Sequence, residues 1–335
     1  MPETSPQKPW IETPLLESAS LSKINGCRVF LKLENLQPSR SFKSRGIGNF
    51  IVQAIKSNPS STSPPHICIS SGGNAGLAAA TCCSTLGYKA TVVVPLSTKQ
   101  FMIEKLKIAG AEVIQHGETW FHADQHLRND ILSKDPGGVY VPPFDHPHVW
   151  DGASTLVPEW EKQLSHIDGK NGVEADGVVC CVGGGGLFAG IMQGLLEQQR
   201  KTKVIAVETK GAESLHASLE KGENVGIGGI TSIATSLGAI KVCEQAFKYA
   251  HENRDLVKSV VVSDQQAVQA LLRFASEENM IVEPACGATL SIAYEGRLKE
   301  LIPDVKGDSR VVLVVCGGSA VTLDLLDEWR KTYVN

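Results

Sequence analysis

Short apolar runs alternate with longer amphipathic ones along most of this chain. His66–Ser70, Ala90–Val94, Glu112–Gln115 and Val139–Val141 are brief and β-branched, whereas Gly76–Leu86, Lys99–Ala109 and Thr119–Ser133 repeat with a helical period. Strands alternating with helices at this spacing predict βαβ units and a parallel sheet. The strand runs show little polar alternation, which predicts helices over both faces. The rhythm stops at Pro142-Pro143-Phe144-Asp145-His146-Pro147-His148 and resumes after Trp150. Val178–Val182, Lys203–Glu208, Lys258–Val262 and Arg310–Cys316 then read as strands, and Leu187–Arg200, Asp264–Asn279, Gly287–Lys299 and Ala320–Arg330 as helices. The pattern predicts an α/β protein with two lobes facing each other. Upstream, Val29, Leu31 and Leu33 alternate with polar residues, as in a half-buried strand, and Ile47, Phe50, Ile51, Ala54 and Ile55 form an amphipathic run. Residues 1–27 read as an irregular lead-in, and Ser57–Pro65 as a surface loop.

Three turns concentrate glycine where a β-branched run gives way to a helical pattern: Ser70-Ser71-Gly72-Gly73-Asn74-Ala75-Gly76, Gly183-Gly184-Gly185-Gly186-Leu187 and Cys316-Gly317-Gly318-Ser319. Glycine lets backbone amides close on an anion, and the dipole of the following helix favours negative charge. Four consecutive glycines after a buried strand fit a phosphate cradle better than a packing turn. The closing Gly-Lys-Ser/Thr of a P-loop is missing, and the spacing of a dinucleotide fingerprint fits poorly. Ser71 and Asn74 add side-chain donors suited to a carboxylate or a ring oxygen, and an ordinary helix-cap turn is the competing account. Cys316 is either a small buried residue or a thiol set against a ring nitrogen. Lys43, within Ser41-Phe42-Lys43-Ser44-Arg45-Gly46, is on its own a solvated helix-start lysine. One lysine with three such turns makes a site able to hold a phosphorylated aldehyde cofactor.

Composition narrows the classes. The 335 residues, 42% apolar and 20% charged, suffice for two lobes and a sizeable core, so general disorder is not expected. A net charge of −4 with no Lys/Arg block gives no nucleic-acid signature. The N-terminus lacks the basic and apolar regions of a secretory signal. Nine cysteines without a CxxC spacing suit buried thiols in a reducing compartment, and the cytoplasm is the expected location. Val178–Leu196 is uncharged with glycines at GxxxG spacing, but its four-glycine interruption opposes a membrane span, and none is expected. His122 and His126 stand one helical turn apart without the glutamate of a zinc-protease motif, and His146 and His148 have no third ligand in view. Glu208 ends a strand run and reads either as a cleft-facing or as an exposed carboxylate.

Together these stretches resemble the fold-type II pyridoxal-phosphate enzymes, and within them the L-serine/L-threonine dehydratases of serine-dehydratase type. Glu12-Thr13-Pro14-Leu15 and Val282-Glu283-Pro284-Ala285-Cys286-Gly287-Ala288 fit as well, so the likeness runs from about residue 10 to 325. It implies a tryptophan synthase β-like fold, two open twisted sheets with helices on both faces. Residues 1–40 and 152–335 would form a large cofactor-binding domain, and 41–151 a small domain inserted in it, with the site in the cleft. Carried over by position, the resemblance makes Lys43 the Schiff-base lysine and packs Phe42 on the cofactor ring. It puts Asn74 at the ring 3′-oxygen and the substrate carboxylate at Ser71, Gly72, Gly73, Asn74 and Ala75. Gly183, Gly184, Gly185, Gly186 and Leu187 would hold the phosphate, and Cys316 would face the ring nitrogen. A potassium-like cation would sit on backbone carbonyls of Gly183, Glu208, Ala212, Leu237 and Ala239. The implied activity is dehydration and deamination of L-serine or L-threonine, by a cytoplasmic homodimer. Serine racemase, threonine synthase, cysteine synthase and a non-catalytic cofactor or amino-acid binder are the alternatives. Gly72 departs from the alanine of liver-type serine dehydratases, and the missing methyl is expected to enlarge the substrate pocket.

Overall fold

A computed structural model describes residues 8–57 and 64–334. The chain divides into two compact units, one of Gln37–Gly152 with the N-terminal segment ending at Ile11, the other of Glu12–Leu36 and Ala153–Asn335. In chain order the elements begin with β1 (Leu15–Glu17), α1 (Ala19–Asn25) and β2 (Arg28–Lys32). There follow α2 (Lys43–Lys56), β3 (His66–Ser70), α3 (Asn74–Leu86), β4 (Lys89–Val94), α4 (Gln100–Ile108), β5 (Glu112–Gln115), α5 (Trp120–His126), β6 (Gly138–Tyr140) and α6 (Pro147–Ser154). Next come α7 (Leu156–Asp168), β7 (Gly177–Cys181), α8 (Gly186–Glu197), β8 (Lys203–Thr209), α9 (Ser214–Lys221) and α10 (Glu244–Glu252). The chain closes with β9 (Val257–Val262), α11 (Asp264–Glu277), α12 (Pro284–Tyr294), α13 (Leu298–Leu301), β10 (Arg310–Val314) and α14 (Leu323–Tyr333).

The first unit holds a parallel sheet in the order β5-β4-β3-β6. Its central strands β3 and β4 are largely apolar and buried because both faces are covered. Ile67, Ile69, Val92 and Val94 pack on one side with Ile47, Ile51 and Ala78 of α2 and α3, while Cys68 and Val93 meet Ala123 and Leu127 on the other. The period predicted for Thr119–Ser133 is α-helical only to His126 and then widens to a π turn at Leu127–Ile131 and tightens to a 3₁₀ turn at Leu132–Lys134. Helix α2 opens on Lys43 itself, and its backbone touches α6. A Cβ on Gly152 would come within 2.3 Å of the Arg45 carbonyl, so the two helices approach as closely as glycine allows.

The second unit holds the sheet β1-β2-β10-β7-β8-β9, parallel except for β1. The two predicted sheets with helices on both faces are thus both present. The lead-in is not irregular: β1 and α1 form there, with Ser18 capping α1 at its start and Gly26 in left-handed conformation at its end. Helices α6, α7, α9 and α10 are likewise additions to the sequence reading. The loop expected at Ser57–Pro65 falls mostly on residues 58–63, which lie outside the described residues. Val178–Leu196 is divided among β7, the glycine turn and α8, and among the described residues no helix is long and apolar enough to cross a membrane.

The strand expected to be half-buried at Val29–Leu33 is buried on both sides, because β1 pairs beyond it and makes β2 an interior strand. Its polar position Lys32 is therefore inside, 0% exposed. The ammonium donates to the Thr13 carbonyl at 2.6 Å, to Glu159 Oε1 at 2.6 Å and to Gln163 Oε1 at 2.8 Å. A buried ion pair is costly to break because the survivor keeps its desolvation penalty. Lys32→Met is expected to lower the urea unfolding free energy by about 3–5 kcal/mol. Adding Glu159→Gln in the same chain should recover much of the loss.

Candidate active site

In the first unit the candidate residues sit on two helix starts. Lys43 is the first residue of α2, and Ser39 and Ser44 hydroxyls 2.7 Å apart tie the preceding turn to it. The Lys43 ammonium is half-buried, donates to the Pro143 carbonyl at 2.6 Å and lies 5.3 Å from the centroid of the Phe42 ring. At the end of β3 the chain turns through Ser71, Gly72 and Gly73 and enters α3 at Asn74. Gly73 caps α3 without a side chain, while its own N–H leans on Ser71 Oγ at 3.4 Å. That leaves the first turn of α3 aimed outward from a strand end with Ser71 and Asn74 beside it, a geometry that takes a carboxylate. Trp120 braces the same turn, its indole N–H donating to the Ser70 carbonyl at 2.8 Å.

In the second unit three neighbouring strands deliver the rest. Beyond β7 come Gly183–Gly186, with Gly185 at φ 93° as the side-chain-free N-cap of α8. A Cβ at Gly183 would stand 2.9 Å from Leu237 Cα, and one at Gly185 2.6 Å from Ala246 Cβ, so no other residue fits this bend. Its amides and the α8 dipole suit a phosphate. Beyond β10 comes Cys316, 4% exposed, 3.5 Å from Cys181 Sγ at the end of β7. Hydrogen bonding with Cys181 and Cys286, together with burial, pushes the Cys316 thiol well above its ordinary range, so it keeps its proton. At the end of β8, Glu208 is fully buried rather than exposed, and accepts from the amides of Leu215 and His216, each at 2.8 Å. Burial outweighs those two donors and lifts its carboxyl to about 8.

These features match a phosphorylated cofactor on observations within the protein: a glycine bend a Cβ would fill, a helix start without a side-chain cap, and a half-buried amine on an aromatic ring. Residues 7–317 match the family model described as pyridoxal-phosphate dependent enzyme. The chain belongs to the pyridoxal-phosphate dependent enzymes. It is 40% identical to the catabolic L-serine/threonine dehydratase of Saccharomyces cerevisiae over 95% of this chain and 89% of that protein. A serine dehydratase-like protein of Rattus norvegicus is 42% identical over 96% and 94% of the two chains. The crystal structure of an L-serine ammonia-lyase from Rhizomucor miehei superposes with a TM-score of 0.88 at 36% identity, covering 98% of this chain and 100% of that one. The cofactor of this pyridoxal-phosphate enzyme is thereby fixed.

Two expectations change on contact with the structure. Gly72 does not leave an empty methyl site, because its Cβ would meet Thr98 Cγ2 at 2.8 Å and Oγ1 at 3.0 Å. The methyl missing from the loop is replaced by the side chain facing it. Glu208, which reads in sequence as either cleft-facing or exposed, is buried, with both carboxylate oxygens accepting amides at the start of α9. Glu283, quoted above only within a matching stretch, proves central. It is 2% exposed, takes the Ala320 amide at 2.6 Å and the Ser236 hydroxyl, and fills the space where a Cβ on Gly318 (φ 123°) would go. Its local signal, an acid directly before a helix-opening proline, says N-cap and nothing of the turn it fastens. His126 stacks on His116 and pairs with Asp130, while His122 Nδ1 lies 3.3 Å from Thr119 Oγ1.

Gly72→Ala is expected to cost about 1–2 kcal/mol of stability through overpacking. Thr98→Ala in the same chain should relieve most of it, and a double-mutant cycle of unfolding energies measures that coupling. For Glu208, the folded chain holds a proton that the unfolded chain releases near its ordinary 4.5. Its contribution to stability therefore falls as pH rises from 4.5 to about 8 and is flat above. Comparing thermal midpoints of the parent and Glu208→Gln across that range should show this component in the parent alone.

Proposed function

We propose that this chain eliminates water from L-serine and L-threonine, and that water adding back to the released enamine expels ammonia, giving pyruvate and 2-oxobutanoate. The observation that carries the reading is the likeness to dehydratases along nearly the whole chain, joined to an intact Lys43 at the start of α2. Pyridoxal phosphate, when bound, supplies the electron sink that makes the substrate Cα–H acidic. Lys43 Nζ would anchor the cofactor aldehyde and, once released by the substrate amine, remove the Cα proton. Its contacts with the Pro143 carbonyl and the Phe42 ring support a held rather than a freely solvated amine. Ser71 with the amides of Gly72, Gly73 and Ala75 would grip the substrate carboxylate. Asn74 would bond the ring 3′-oxygen, with Phe42 against the ring.

Gly183–Leu187 would carry the phosphate and Cys316 would meet the ring nitrogen. A neutral thiol stabilises a pyridinium far less than a carboxylate does, which suits quick loss of a β-hydroxyl over a long-lived carbanion. A potassium-like cation on the carbonyls of Gly183, Glu208, Ala212, Leu237 and Ala239 belongs to the same proposal. It is supported by the abutment of Gly183 on Leu237 and by a buried Glu208 carboxyl, whose titration added K⁺ should draw downward. Nine cysteines, all free and buried, support a reducing, cytoplasmic setting. The homodimer rests on resemblance, and sedimentation tests it.

Lys43→Ala should abolish both the visible cofactor absorption and ammonia release from either amino acid. A yellow, active Lys43→Ala protein would remove this lysine from the reaction. D-serine accumulating without ammonia in the parent would replace the elimination by racemisation.

A further inference from the structure

Cys316 is not an isolated thiol. Cys181 Sγ–H donates to its sulfur at 3.5 Å, and the Cys316 S–H in turn is donated to the Gly317 carbonyl over a long 3.9 Å. Cys286, 0% exposed in the first turn of α12, is a third sulfur against it. The groups facing the Cys181–Cys316 pair are Cys286 and Thr289 of α12 and Glu283 directly before that helix. Glu283 is held in place by the Ala320 amide and Ser236, and Gly318 packs on it, so the turn carrying Cys316 has little freedom to swing. A thiol has one proton, and donors in series strengthen one another. With Cys181 donating into its sulfur, the Cys316 S–H is left to the Gly317 carbonyl, a 3.9 Å contact that a nearer acceptor would displace.

We propose that Cys181 is a positioning residue for Cys316, fixing the sulfur's rotamer and directing its single proton toward the cofactor's ring nitrogen. The inference rests on the reading above that Cys316 meets that nitrogen, and it adds that the electronic setting is made by a pair of thiols on adjacent strands. Nothing in the β7 sequence marks Cys181 for this role, since its neighbour Cys180 is equally apolar in context but lies on the other face of the strand.

The test uses the full chain loaded with pyridoxal phosphate, in Cys181→Ala, Cys181→Ser and Cys316→Ala forms. It reads the wavelength and pH titration of the visible band and the dissociation constant of the cofactor. Cys181→Ala should displace the band and its titration in the same direction as Cys316→Ala, and weaken cofactor binding about three- to ten-fold, the worth of one neutral hydrogen bond. Cys181→Ser should restore both, because a hydroxyl donates to the same sulfur. If Cys316→Ala moves the band while Cys181→Ala leaves it at the parent position, the positioning role is overturned. If neither moves it, the placement of Cys316 at the nitrogen falls, and this inference with it.

Discussion

A buried parallel strand has nothing polar to offer until it ends. Its amides and carbonyls are consumed by its neighbours, and its side chains are consumed by helices on both faces. Chemistry is thereby confined to the residues where the chain leaves the sheet. In the second unit the sheet order β10-β7-β8 puts Cys316, the Gly183 bend and Glu208 one residue or two from the carboxyl ends of three adjacent strands. In the first unit Ser71 to Asn74 follow directly on β3. The alternation of strand and helix dictates where binding groups are able to stand, before any particular residue is chosen.

Much of this was legible in the chain. The parallel strands were read to within a residue or two because a strand covered on both faces has a signal of its own, β-branched and unbroken. Several of the failures share a cause, dependence on a partner distant in sequence. β1 is three residues long and has no periodicity to show; it exists because β2 offers an edge. Lys32 reads as the polar half of an alternating strand, yet Thr13, Glu159 and Gln163 accept it inside. Gly72 reads as a missing methyl until Thr98 is seen in the vacated space. The candidate site was legible as motifs, since glycine bends are local, but the residues that brace them were not. Trp120 behind Ser70 and Glu283 behind Gly318 are supplied by other elements.

The bracing follows a common rule. Glycine bends permit close approach but carry conformational freedom that folding must remove. Each bend here is held by something rigid: Trp120 at the β3 turn, the Val242–Ala246 wall at Gly185, and the Glu283 carboxylate at Gly318. Glu283 is the most demanding of these, a buried acid at the mouth of a helix, satisfied by a backbone amide and a serine hydroxyl. Its presence limits what its neighbours are allowed to be.

That limit bears on the residue at position 316. A carboxylate there would be buried beside Glu283, whose charge already reaches Cys181. Two carboxylates in one desolvated pocket cannot both stay ionised, and one would be driven to protonate. A serine would add no charge, but its hydroxyl is a stronger donor and acceptor than the two sulfurs around this spot, Cys181 and Cys286, require. A thiol is small and neutral in this setting, and it bonds weakly enough to be shared between Cys181 and the Gly317 carbonyl. The sulfur at the end of β10 thus matches the carboxylate at the start of α12, through electrostatics laid down by the fold.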